Sequence, residues 1–195
     1  MTISIQCLTS KYLYIPLSSR YEKRDANMVE RDTIFEGKVK QTDIFDFKEM
    51  YNFLYKWLVD EGYKVDEKNY SEKVTATGKE LEIEWEAKKK ISDYFRFVLK
   101  PKWRILGMTS VEVDKDGKKV GMNKGQVEIK VGAILEKDYE ARWENSAFLK
   151  FLRGVYDKYI IRARVEGYEK KLFGEADEFL AQMKSFLALE GKHAR

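Results

Sequence analysis

The sequence is short of the residues on which most catalytic chemistry depends. It has one cysteine, Cys7, and one histidine, His193. A single cysteine excludes an intramolecular disulfide and fits a reducing compartment. A lone histidine in the tail leaves no Ser–His–Asp or Cys–His arrangement. Glycines are scattered, with no phosphate-cradling loop. No apolar run approaches the ~20 residues that span a bilayer. The first residues, MTISIQCLTSKYLYIPL, lack the basic and apolar regions of a secretory signal. The expectation is a soluble cytoplasmic protein without cofactor, metal or catalytic residues.

Charge of one sign is also missing. Charged residues make up 36% of the chain, yet the net charge is only +4. Residues 1–27 hold Lys11, Arg20, Lys23 and Arg24 against Glu22 and Asp25, which is +2, so the remainder also carries +2. A near-neutral body argues against a nucleic-acid binder, which carries a strong basic excess. The basic row that includes Lys88, Lys89 and Lys90 leaves binding to phosphate or to an anionic membrane surface open.

At 195 residues the chain suits one domain. Residues 1–27 show no sustained period and are expected to form an arm or an upstream extension before Met28. Residues 28–192 are expected to form a single α+β domain. Residues 33–42 read as a strand. Asp46 and Glu49 form the D-x-x-E capping pattern, and Phe47, Met50, Tyr51, Leu54, Trp57 and Leu58 follow as a helical stripe ending at Gly62. Residues 63–74 are polar and read as irregular.

Strands follow one another through the middle. Leu81, Ile83, Trp85 and Ala87 alternate with Glu82, Glu84, Glu86 and Lys88. Phe95, Phe97, Leu99, Pro101, Trp103 and Ile105 alternate with Arg96, Val98, Lys100, Lys102 and Arg104. Val127, Ile129, Val131, Ala133 and Leu135 form a third row. Such period-two alternation predicts an antiparallel sheet of about 5–6 strands with one buried and one wet face. Asp114-Lys115-Asp116-Gly117 and Asn123-Lys124-Gly125 read as turns. Pro101 removes a ladder donor and predicts an edge or a bulge.

Residues 145–191 read as one amphipathic helix. Phe148, Leu152, Val155 and Tyr159 form a first stripe, and Val165, Tyr168, Leu172, Ala176, Phe179, Met183 and Leu187 a second. Unbroken, it would span about 70 Å at 1.5 Å per residue. Strands of average length reach only ~20 Å, so the first stripe is expected to cover the sheet and the helix to overhang after about residue 165. The second stripe then needs its own cover. Either the helix bends at Gly167 or Gly174 and packs on the Phe47–Leu58 stripe, or Val165, Tyr168, Leu172, Phe179 and Met183 form a homodimer contact.

The order strand, helix, antiparallel strands, long helix resembles the helix-grip arrangement of START and Bet v 1-like lipid-binding domains, across about residues 33–165. Separately, TIFEGKVKQTDIFDFKEMYNFLYKWLVDEGY and RWENSAFLKFLRGVYDKYIIRARVEGYE are similar to an uncharacterised protein family of small uncultivated archaea, over residues 28–192. That similarity implies a start at Met28 and implies no activity.

The Glu82, Glu84 and Glu86 row reads as cross-strand pairing with Arg96, Lys100 and Arg104, worth roughly 0.2–1 kcal/mol a pair, rather than as an acid/base or metal site. Asp114-x-Asp116-Gly117 lacks the remaining ligands of a calcium loop. Two functions remain. One is a non-enzymatic binding domain for a hydrophobic small molecule or lipid, with Trp85, Phe97, Trp103, Ile129, Val155 and Tyr159 lining an apolar cavity. The other is an assembly protein that self-associates through its C-terminal helix.

Overall fold

A computed structural model describes residues 30–115, 118–140, 155 and 162–193. Within these the elements run β1 (Glu30–Phe45), α1 (Phe47–Asp60), β2 (Lys64–Thr75), β3 (Gly78–Lys90), β4 (Phe95–Lys115), β5 (Lys118–Lys137) and α2 (Arg162–His193). The fold is α+β. A five-stranded antiparallel sheet has the order β1-β5-β4-β3-β2, with one helix after the first strand and a long helix at the C-terminus. β2 to β5 form a meander, and β5 returns beside β1, so α1 connects the two outer strands.

The local signals act as the sequence predicts. Asp46 caps α1, its carboxylate accepting from the Glu49 amide at 2.9 Å. At the other end Gly62 adopts φ +83°. Its amide donates to Val59 O and the Tyr63 amide to Leu58 O, both at 2.9 Å. This is the paired bonding of a Schellman stop, which needs a left-handed residue at that point. The inward residues of β3, β4 and β5 share one buried face under the helices.

Four expectations are corrected. Residues 63–74 are not irregular, since from Lys64 they form β2, paired with β3 as an outer strand with a neighbour on one side only. Its exposed residues and a bulge between Glu67 and Asn69 hide its alternation. Pro101 lies in β4, between β3 and β5. The ladder to β3 has no partner at Lys100 or Pro101, which absorbs the missing donor without placing the strand outermost. The sequence Asn123-Lys124-Gly125 is not a turn but part of the continuous β5. The irregularity lies opposite, between Leu106 and Thr109 of β4, where Gly107 has φ +61°. A Cβ on Gly125 would come within 3.2 Å of Leu106 O, so glycine there accommodates the bulge.

The fourth correction concerns the long helix. Beyond residue 165 it does not overhang. α2 runs through Gly167 and Gly174 and packs on β1, β5 and β4. The reason is strand length. β1 has 16 residues, β4 has 21 and β5 has 20, so β1 alone reaches about 50 Å. The 32 residues of α2 span about 48 Å. Sheet and helix match, and Leu172, Ala176, Phe179, Leu180, Met183 and Leu187 are buried between them. Burying each large apolar side chain contributes roughly 1.5–3 kcal/mol.

Candidate functional site

Two helices share the inner face of the sheet. Trp57 of α1 meets Phe179 of α2 at 5.2 Å between ring centroids, and Phe53 stacks on Phe186 at 5.3 Å. Under α1 lies an aromatic cluster. Trp85 and Trp103 occupy inward positions of adjacent strands, with centroids 4.7 Å apart. Tyr51 and Tyr55, one helical turn apart and so on one face, both meet Trp85 edge-on, at 4.8 and 6.0 Å. Tyr51 also reaches Trp103 at 5.9 Å.

The polar groups of this cluster are unequally served. Glu67 lies on β2 directly opposite Trp85. Its Oε2 accepts from Tyr51 O–H at 2.8 Å and from Trp85 Nε1 at 3.4 Å. Burial first, and then the bond to Glu67, push the Tyr51 hydroxyl up to about 12. At neutral pH it is a donor and not a base. Trp103 is 1% exposed, and its Nε1 finds no acceptor among the described residues. A buried donor without a partner costs roughly 1–3 kcal/mol.

Of the residues expected to line a cavity, Trp85, Phe97, Trp103 and Ile129 are buried on this inner face. Ile129 sits directly opposite Trp103 in the ladder. The helix over Trp85 and Trp103 is α1, not the C-terminal helix, because α2 takes the β1 side of the sheet. Val155 is helical and 37% exposed. Tyr159 lies outside the described residues.

The residues expected at a self-association surface are packed within the chain. Leu172, Phe179 and Met183 are buried against the protein's own sheet, and Val165 and Tyr168 pack half-buried on the same core. Tyr168 contacts Phe95 and Phe97 at 5.0 and 6.3 Å. The stripe faces β1 and β5 because the strands are long enough to receive it.

On the opposite face the acidic row is paired across strands, but only in part with the expected partners, since Arg96 turns to Glu136 and Lys102 takes its place beside Glu84. Glu82 lies opposite Arg104 and Glu84 opposite Lys102, with Lys102 Nζ 2.7 Å from Glu84. At one end of the sheet Glu136, 2% exposed, takes Arg31 at 3.0 Å and Arg96 at 2.6 Å. Sequence reading missed Glu67 and Glu136. Glu67 sits in the segment whose alternation the bulge breaks. Glu136 reads as one more outward charge, and only the convergence of two strands buries it. Among the described residues no helix is long and apolar enough to cross a membrane.

No protein-family model matches the chain, and no curated protein matches it. Among solved structures the chain is similar to an uncharacterized protein from Rhizobium leguminosarum. The two are 10% identical, and the match covers 80% of this chain and 99% of that one. The TM-score is 0.20, a superposition too poor to bear on fold or function.

Proposed function

We propose that this protein is a non-enzymatic, cytoplasmic binding domain for a small apolar molecule, a lipid or an aromatic acid, held between the sheet and its helical layer. The observation that carries this reading is the buried N–H of Trp103, which has no partner among the described residues. It stands among Trp85, Tyr51 and Ile129, which offer apolar surface. A ligand with an apolar body and one acceptor oxygen would satisfy the donor and cover the rings, as in pockets that combine aromatic walls with a few fixed polar groups. The element order supports it too. The order strand, helix, antiparallel strands, long helix, behind the resemblance to START and Bet v 1-like domains, is present, and the long terminal helix lies on the sheet. Self-association through the C-terminal helix has less support, since its apolar stripe already lies on the sheet.

The test uses oleic acid and indole-3-acetic acid as probes. Tryptophan fluorescence and native mass spectrometry should show saturable one-to-one binding of at least one of them. Trp103→Phe keeps an aromatic side chain, though a smaller one, and removes the donor, and it should weaken binding about tenfold, the equivalent of one lost charge-assisted hydrogen bond. Absence of binding by either probe, or equal affinity in Trp103→Phe, overturns the reading.

A further inference from the structure

The outer, polar face of the sheet carries a cleft of about 170 Å³ lined by Lys68, Glu84, Trp85, Glu86, Lys100 and Lys102. Its charges are unbalanced. Glu86 is shared by three ammonium groups, Lys88 at 2.7 Å, Lys68 at 3.4 Å and Lys100 at 3.6 Å. Glu84 takes Lys102 at 2.7 Å. The lining has three lysines against two glutamates, a surplus of +1, to which Lys88 beside it adds one charge and Asp66, at 4.0 Å from Lys68, removes one. Strong charge-assisted bonds are about 2.7–2.9 Å long. Lys88 and Lys102 therefore bind their carboxylates tightly. Lys68 and Lys100 stand back from Glu86, with N–H donors uncommitted.

The backbone explains why the lysines meet. The bulge between Glu67 and Asn69 falls at Lys68, while Glu67 stays with Trp85. Lys100 lies opposite Gly132 of β5, where an added Cβ would meet nothing within 4 Å. No side chain from that position closes the cleft beside Lys100. Glu86 is held below the usual carboxylate range, first of all by its bond to Lys88, and so stays charged and cannot itself accept a proton from a bound anion at neutral pH.

We propose that this cleft binds a small oxyanion, a phosphate group, between Lys68, Lys100 and Lys102. The phosphate oxygens take the donors that Glu86 and Glu84 leave free, and the +1 surplus offsets part of the ligand charge. The charged residues of the cleft lie on the face opposite Trp103, Trp85 belongs to both linings, and the lysines play no part in the function proposed above. Two sources present the same group, a free phosphate or phosphomonoester and a phospholipid headgroup.

Phosphorus NMR with inorganic phosphate, in sodium chloride of matched ionic strength, reads the first. Co-sedimentation with phosphatidylcholine vesicles containing phosphatidic acid reads the second. Wild-type protein is expected to bind phosphate saturably, with vesicle binding added only if the headgroup can enter. Lys68→Ala/Lys100→Ala should weaken binding more than tenfold, at about tenfold for each lost charge-assisted bond. Glu84→Gln releases Lys102 and should tighten it, which guards against a variant that loses binding by misfolding. No saturable binding of phosphate or vesicles by wild type overturns the proposal. So does equal binding by all three proteins.

Discussion

The hydroxyl of Tyr63 donates to Oε2 of Glu175 at 2.6 Å, which ties the link between α1 and β2 to the middle of α2. The other oxygen of Glu175 accepts from Lys89 Nζ of β3 at 2.9 Å, and that ammonium lies 5.1 Å over the Tyr63 ring. One carboxylate thus joins three elements. Tyr63→Phe removes one bond of the set and should lower stability by about 1–2 kcal/mol in urea unfolding. Glu175→Ala leaves both a buried hydroxyl and an ammonium without their acceptor, and should cost more. An equal or smaller loss would mean the clamp contributes nothing as a unit.

Alkaline pH should unfold the protein through its tyrosines. Burial and the Glu175 bond hold the Tyr63 hydroxyl well above its ordinary value of 10.0, and Tyr51 is pushed up to about 12 for the same kinds of reason. Above pH ~10 the unfolded chain releases these protons and the folded one keeps them, so the folded state binds more protons and stability falls as pH rises. The contribution is complete below pH 10 and is lost as pH climbs toward 12 and beyond. Tyrosinate absorbance during a pH titration should show Tyr51 and Tyr63 ionising late, together with unfolding. Tyr51→Phe/Tyr63→Phe should flatten the fall.

Removing Glu136 should destabilise strongly. Its buried carboxylate faces Arg31 and Arg96, and the loss of one partner leaves guanidinium charge without compensation. Glu136→Ala should cost about 3 kcal/mol, read from thermal or urea unfolding. Glu136→Gln keeps one acceptor oxygen and should cost less.

Charge on the inner face of α2 should prevent folding. Phe179 and Leu172 are fully buried, so Phe179→Ala should cost about 3–5 kcal/mol. Leu172→Glu should give an unfolded chain by circular dichroism. A folded, soluble Leu172→Glu protein would contradict the packing of α2 on the sheet.

Glycines on the sheet should respond according to what stands over them. A Cβ on Gly37 would lie 2.7 Å from the Phe35 ring and 2.9 Å from Leu180 of α2. Gly37→Val should therefore cost about 1–3 kcal/mol by overpacking. Gly121 has nothing within 4 Å, and Gly121→Ala should be neutral or stabilising by up to about 1 kcal/mol. Melting temperatures of the two variants separate these outcomes.

What the sequence by itself determined is parity and punctuation. Alternation names the buried side of a strand because successive side chains point to opposite faces. Trp85, Phe97, Trp103 and Ile129 were therefore legible as inward residues. Asp46 and Gly62 were legible as the bounds of α1 because capping is a local event. The tertiary structure decided what depends on neighbours distant in sequence. Whether α2 overhangs turns on the length of β1 and β5, which no helical period contains. Whether Pro101 is tolerated between two strands turns on a gap in the ladder to β3. The candidate sites belong to the same class. Trp103 lacks an acceptor among the described residues, and Lys68 lines one cleft with Lys100, because of where α1 and the β2 bulge come to rest. Those positions are set by packing across the sheet, where residues far apart in sequence become neighbours.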